Sequence, residues 1–199
     1  MKEKKRHKFN LDEVNLHIFN SLSEKGRVNY SKIGKELNLS HVSIKNRYER
    51  LIEQETIKPA VLFNFSKFDY KLGVLLLEID TNAEQKIKNI YENCPRLICL
   101  FSIIGEYNYI LIFFAEDLST LETMLKSCML YNLEGVRKSN IMLLSENPEN
   151  RYLPIRWSLF QNINEDTPCG TNCKYCKSFI QRKCLGCPVS THYRGPLKL

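Results

Sequence analysis

Long apolar runs are missing from this 199-residue chain. Nothing approaches the roughly eighteen residues that a membrane helix needs, which argues against a spanning segment. A glycine-rich phosphate loop is also missing, as are paired acids with a matching base and any nucleophile constellation, so no reaction is legible before the C-terminal region. Cysteine is scarce until late: Cys94, Cys99 and Cys128 stand alone, and then CGTNCKYCKSFIQRKCLGCP, from Cys169, packs five into twenty residues.

With 43% hydrophobic and 26% charged residues, the composition is neither disordered nor fibrous. The length suits two compact units plus a small appendage. MKEKKRHKFN is basic like the start of a signal peptide, but the polar LDEVN follows where an apolar core should stand. A cytoplasmic protein with cysteines in a reducing compartment is expected. Residues 1–8 and 165–199 each carry +4 while the whole chain is +7, leaving the middle near neutral. Basic ends suit a polyanion, most plausibly nucleic acid, although a solubilising tail at each end explains the charge as well.

From Asn10 the pattern is helical. Leu11, Val14, Ile18, Phe19 and Leu22 form one apolar face, Asn10 and Glu13 resemble a capping box, and Gly26 closes the helix. A second short helix fits YSKIGKEL, with Gly34 admitting a close neighbour. Ser40 is a good N-cap for a third helix to about Gln54, in which Ile44, Tyr48 and Leu51 recur on one stripe. The polar side carries His41, Ser43, Lys45, Asn46, Arg47 and Arg50. Three helices with a short turn before a basic last one predict a helix-turn-helix, whose arginines and asparagine can contact guanine and adenine edges in double-stranded DNA. Ile57, Val61 and Phe63 read as a wing strand.

LDEVNLHIFNSLSEKGRVNYSKIGKELNLSHVSIKNRYERLIEQETIKPAVLFNF resembles the N-terminal winged helix-turn-helix of the Lrp/AsnC family of prokaryotic transcription regulators. It departs at EQETI, where that family commonly has a glycine before the isoleucine, so Thr56 makes that turn differently.

The next stretch alternates: GVLLLEI strand, AEQKIKNIYENC helix, RLICLFSII strand, a GEYN turn, YILIFFA strand, LSTLETMLKSCML helix, and GVRKSNIMLLS strand. This βαββαβ order predicts a ferredoxin-like sheet with both helices on one face, in an α+β protein. VLLL, LICLFSII and YILIFF are apolar on both faces, so something must cover the second face. A second copy of the domain, giving a homodimer or higher assembly, is the simplest cover, and PIRWSLF folding back is the alternative. The resemblance to the Lrp/AsnC family extends here to its effector domain, covering roughly residues 10–146. It implies small-molecule effector binding near the turn at Gly105, Tyr107 and Asn108. Many members carry Asp where Asn108 stands, and an amide cannot neutralise an ammonium group; a plain hairpin turn explains these residues too.

The domains expected are therefore 1–64, helix-turn-helix with a basic arm; 65–70, hinge; 71–146, sheet domain; 147–166, linker; and 167–199, cysteine-rich tail. An odd count in a reducing compartment disfavours disulfides. The spacing of Cys169, Cys173, Cys176, Cys184 and Cys187 is what a metal needs, because short loops bring thiolates together in pairs. Zinc is favoured, through Cys173, Cys176, Cys184 and Cys187, with His192 as a further candidate. An iron–sulfur cluster is the alternative, suggested by Cys187–Pro188 and the Cys-x3-Cys-x2-Cys start. Cys94, Cys99 and Cys128 read as buried small hydrophobes. The function expected is a DNA-binding transcription regulator and not an enzyme; a redox or radical iron–sulfur enzyme is the competing reading.

Overall fold

Asp12 starts the first helix, α1 (Glu13–Lys25), by accepting the Asn15 N–H at 2.9 Å. Its carboxylate is a strong acceptor at a helix N-terminus, and the cap therefore falls two residues beyond the Asn10 expected. Asn10 itself lies outside the described residues, which are 11–127, 133–144, 152–161 and 164–197 of this computed structural model. Asn29 caps α2 (Tyr30–Glu36), and Ser40 caps α3 (His41–Glu53) through the Ser43 N–H at 3.1 Å. Between them the Leu39 carbonyl comes so close that a β-carbon on Gly34 would sit 2.6 Å away, which is why glycine stands there. Ile18, Ile33, Ile44 and Leu51 bury together as the core of this unit. Leu11, expected on the same face, is exposed. At EQETI it is Glu55, not glycine, that takes the left-handed conformation (φ 54°), and the Thr56 N–H returns to the Leu51 carbonyl at 2.9 Å.

The chain divides into two compact units, Met1–Ala60 and Val61–Leu199. The expected hinge and the wing residues Val61 and Phe63 fall in the second, while Ile57 packs on the helical core of the first. Strand β1 (Leu62–Asn64) pairs with β6 (Tyr152–Pro154). Phe63 stacks on Trp157 at 5.4 Å, and Phe65, in the expected hinge, is buried in a 3-10 turn. The reason is apolar area: the sheet unit offers these aromatics a core to join, which a small helical unit cannot.

That unit contains β2 (Lys71–Ile79), α4 (Thr81–Asn93), β3 (Leu97–Ser102), β4 (Tyr109–Ala115), α5 (Leu118–Ser127) and β5 (Val136–Leu143). The strand order is β3-β4-β2-β5, antiparallel throughout, as the βαββαβ pattern predicts. Leu75, Leu77, Leu111 and Phe113 on one face meet Ala83, Ile87 and Ile90 of α4 and Leu121 of α5. The part of the predicted second helix beyond Ser127, including Cys128, lies outside the described residues.

The other face is covered in part from within the chain. Ile155, Phe160, Tyr193 and Leu197 pack with Phe65, Ile98 and Phe114 into a second core. Arg156 fastens the covering segment, donating to the carbonyls of Cys94 (2.6 Å) and Leu97 (2.9 Å) while lying 4.3 Å over the Tyr91 ring. Much of the expected linker is thus structural. Cover ends partway across: in the row Phe101–Ile110–Leu76, Phe101 is 55% exposed, and Met142 in the next row is 42% exposed.

Candidate functional site

Two places gather the chemistry. The first is the outer side of α3, where His41, Ser43, Lys45, Asn46 and Arg50 are all exposed. Ser43 is tied to the cap by a 2.9 Å hydroxyl contact with Ser40, and Lys45 pairs with Glu49 at 3.6 Å. Arg47 differs from the others. It is half-buried, and its guanidinium lies 2.9 Å from Asp12, the cap of α1, so it braces two helices of the unit. The exposed groups most available to a ligand are Asn46 and Arg50, one helical turn apart.

At the turn, the Asn108 amide is engaged at both its oxygen and its nitrogen. Its Oδ1 accepts the Ile79 N–H at 2.9 Å and its Nδ2 donates to the Ile79 carbonyl at 2.8 Å, so it extends the β2–β4 pairing like a backbone unit. Tyr107 lies under Lys138, 5.3 Å from ring centre to ammonium, and Gly105 is exposed.

The second place is a partly open cavity of about 70 Å³ between the tail and the helix side of the sheet unit. All five tail cysteines line it: Cys169, Cys173, Cys176, Cys184 and Cys187. So does Cys94, the C-cap of α4. Sequence reasoning had taken Cys94 for an apolar filler, and no local signal in a lone cysteine at a helix end could have found it. Among the described residues no group of three or more His, Cys, Asp or Glu side chains is drawn together closely enough to hold a metal ion. The expected ligands ring a space instead of meeting at a point. His192, the further candidate, is not among the lining residues; it lies beside the Phe179 ring.

Local backbone serves the sulfurs. Gly186, with φ +88°, turns its N–H toward Cys184 Sγ at 3.4 Å, and the Cys187 N–H points to Cys173 Sγ at 3.5 Å. Burial pushes the thiols of Cys94, Cys184 and Cys187 above their ordinary pKa, as low-dielectric surroundings disfavour the anion.

Beside the cavity is a buried polar set. Arg96 and Glu116 pair at 2.6 Å, with side chains 4% and 3% exposed. Burial opposes the arginine charge most strongly, but Glu116 together with the sulfurs of Cys187 and Cys184 more than offsets it, so the guanidinium stays protonated. The Arg96 Nε has no hydrogen-bond partner among the described residues, and Arg96 lines the cavity. Tyr193 of the tail donates to Glu116 at 2.5 Å and accepts the Leu197 N–H at 3.1 Å. The Leu185 N–H donates to Thr120 Oγ1 at 3.1 Å. The tail is therefore docked on the sheet unit through groups more than sixty residues away in sequence.

An uncharacterized HTH-type transcriptional regulator of Pyrococcus abyssi is 27% identical over 138 residues, which are 68% of this chain and 92% of that protein. The structure of Escherichia coli AsnC superposes with a TM-score of 0.59 at 15% identity, covering 72% of this chain and 97% of AsnC. A transcriptional regulator of Neisseria meningitidis, solved as a complex with L-Met, gives 0.60 at 18% identity over 71% and 94%. The fold is that of AsnC. No family model matches the chain. Among the described residues no helix is long and apolar enough to cross a membrane.

Proposed function

We propose that the protein is a sequence-specific DNA-binding transcription regulator and not an enzyme, reading the duplex with α3. The observation that carries this is the fixed, capped helix that presents Asn46 and Arg50 outward together with His41, Ser43 and Lys45. A helix of that size fits the major groove, and asparagine and arginine are the side chains that make paired contacts to adenine and guanine. Relatives named as HTH-type transcriptional regulators support the reading. The basic ends add sequence-independent attraction to phosphate. Gel-shift titration of the full chain against duplexes selected from a random pool tests it, with loss of discrimination expected in Asn46→Ala and Arg50→Ala.

The working unit in this proposal is a homodimer. The uncovered apolar strip at Phe101, Ile110, Leu76 and Met142 supports it, since a two-fold axis over that strip buries the same residues from both copies. Any small-molecule effector at the 105–108 turn meets an Asn108 amide that is already bonded at both ends to Ile79. The tail thiolates form a metal site in this reading, either for zinc or for an iron–sulfur cluster; their spacing and their shared cavity support it.

A further inference from the structure

A four-coordinate zinc ion needs four thiolates at about 2.3 Å, which takes little room. The cysteines here are more numerous. Six of them surround a cavity of about 70 Å³, room for more than one water-sized body where about 10–15 Å³ suffices for one. A ligand that fits is a compact body of several atoms that binds sulfur on its periphery.

The walls say more about its charge. Met124 and Phe179 contribute apolar surface, which gives water few partners. Arg96, 3% exposed, brings a positive charge to the same wall with its Nε unpartnered among the described residues. One carboxylate, Glu116, already neutralises much of that charge on the side toward the tail tyrosine, but the Nε–H donor is left over. A buried donor without a partner costs free energy, and a sulfur-rich anion in the cavity supplies an acceptor. The N–H groups of Gly186 and Cys187 already point at Cys184 and Cys173 Sγ, the kind of hydrogen bond that stabilises thiolates bound to a cluster and tunes its potential.

We propose that this chamber holds a cysteine-ligated iron–sulfur cluster, and that Cys94 is one of its thiolates, so that the cluster joins the tail to the end of α4 in the sheet unit. This rests on the reading that the tail thiolates bind metal, and it departs from zinc as the preferred ion. Such a cluster takes four cysteines; the cavity offers six, which leaves two over.

The test is metal and acid-labile sulfide analysis of the full-length protein, purified without oxygen, with its visible spectrum. Iron and sulfide in equal amounts with charge-transfer absorption in the visible region support the proposal. Zinc without sulfide overturns the cluster while leaving a thiolate metal site standing. Protein that takes up neither iron nor zinc under reducing conditions overturns both. Cys94→Ser is then compared with Cys99→Ala, which lies in the second core on the opposite face of the sheet. A several-fold drop in iron and sulfide is expected in the first only. Equal cluster content in both variants, each shown to be folded by circular dichroism, overturns the assignment of Cys94.

Discussion

The guanidinium of Arg47 and the carboxylate of Asp12 lie 2.9 Å apart, tying the recognition helix to the cap of the first helix. Both are partly exposed, so the pair itself is worth about 1 kcal/mol or less. Arg47→Ala is accordingly expected to lower the melting temperature of the helical unit slightly, along with any effect on DNA. Arg50 has no ion pair among the described residues, and Arg50→Ala is expected to weaken specific binding by about 1–3 kcal/mol at unchanged stability. Calorimetry and gel shifts on the two variants check this. Equal melting of both with equal DNA affinity contradicts the division of labour.

Asn108→Asp keeps an acceptor for the Ile79 N–H and loses the donor to the Ile79 carbonyl, bringing a negative charge to that oxygen. A destabilisation of about 1–3 kcal/mol is expected from a lost partner and the new repulsion. Denaturant unfolding measures it. A variant as stable as the parent shows that the turn does not depend on the amide.

Tyr193→Phe removes the hydroxyl that donates to Glu116 and receives the Leu197 N–H. A hydrogen bond to a charged group is worth about 1.5–3 kcal/mol. The expected outcome is faster proteolysis confined to the last residues, with the sheet core unchanged. Cleavage at parental rate means that the apolar contacts of Tyr193 and Leu197 alone hold the tail.

Phe101→Glu places a charge at the β3 end of the incompletely covered strip. In sedimentation experiments the parent is expected to run as a dimer and the variant as a monomer of unchanged secondary structure. A monomeric parent shows that the covering segment around Phe160 is cover enough.

Much of this architecture could be read directly. Ser40 as an N-cap, Gly26 as a stop, and the alternation of strands and helices from Gly73 onward rest on local preferences, and local structure obeys them. The errors share one cause. Phe63 and Phe65 fall in the expected wing and hinge; besides the nearby Phe68 and Tyr70, their partners Trp157 and Phe114 lie far along the chain. Cys94 packs on the core as its apolar setting suggests, but its place in one cavity lining with Cys169 and Cys187 has no local sign for the same reason. The PIRWSLF segment was legible as a possible cover because its composition is apolar, but how much of the face it covers depends on tertiary packing.

If the tail thiolates hold metal as proposed, a chelator under reducing conditions opens residues 169–187 to protease while Ile155 and Phe160 stay packed, because that part of the cover rests on apolar burial. Loss of the whole sheet unit on chelation contradicts a local role for the metal.

The central claim is that α3 reads sequence, and fluorescence anisotropy of the full chain on selected and scrambled duplexes at matched salt tests it most directly. The account predicts binding to the selected site at least about 10³-fold tighter than to scrambled DNA, with the difference collapsing in Asn46→Ala and Arg50→Ala. Equal affinity for both duplexes, or discrimination that survives both substitutions, contradicts it.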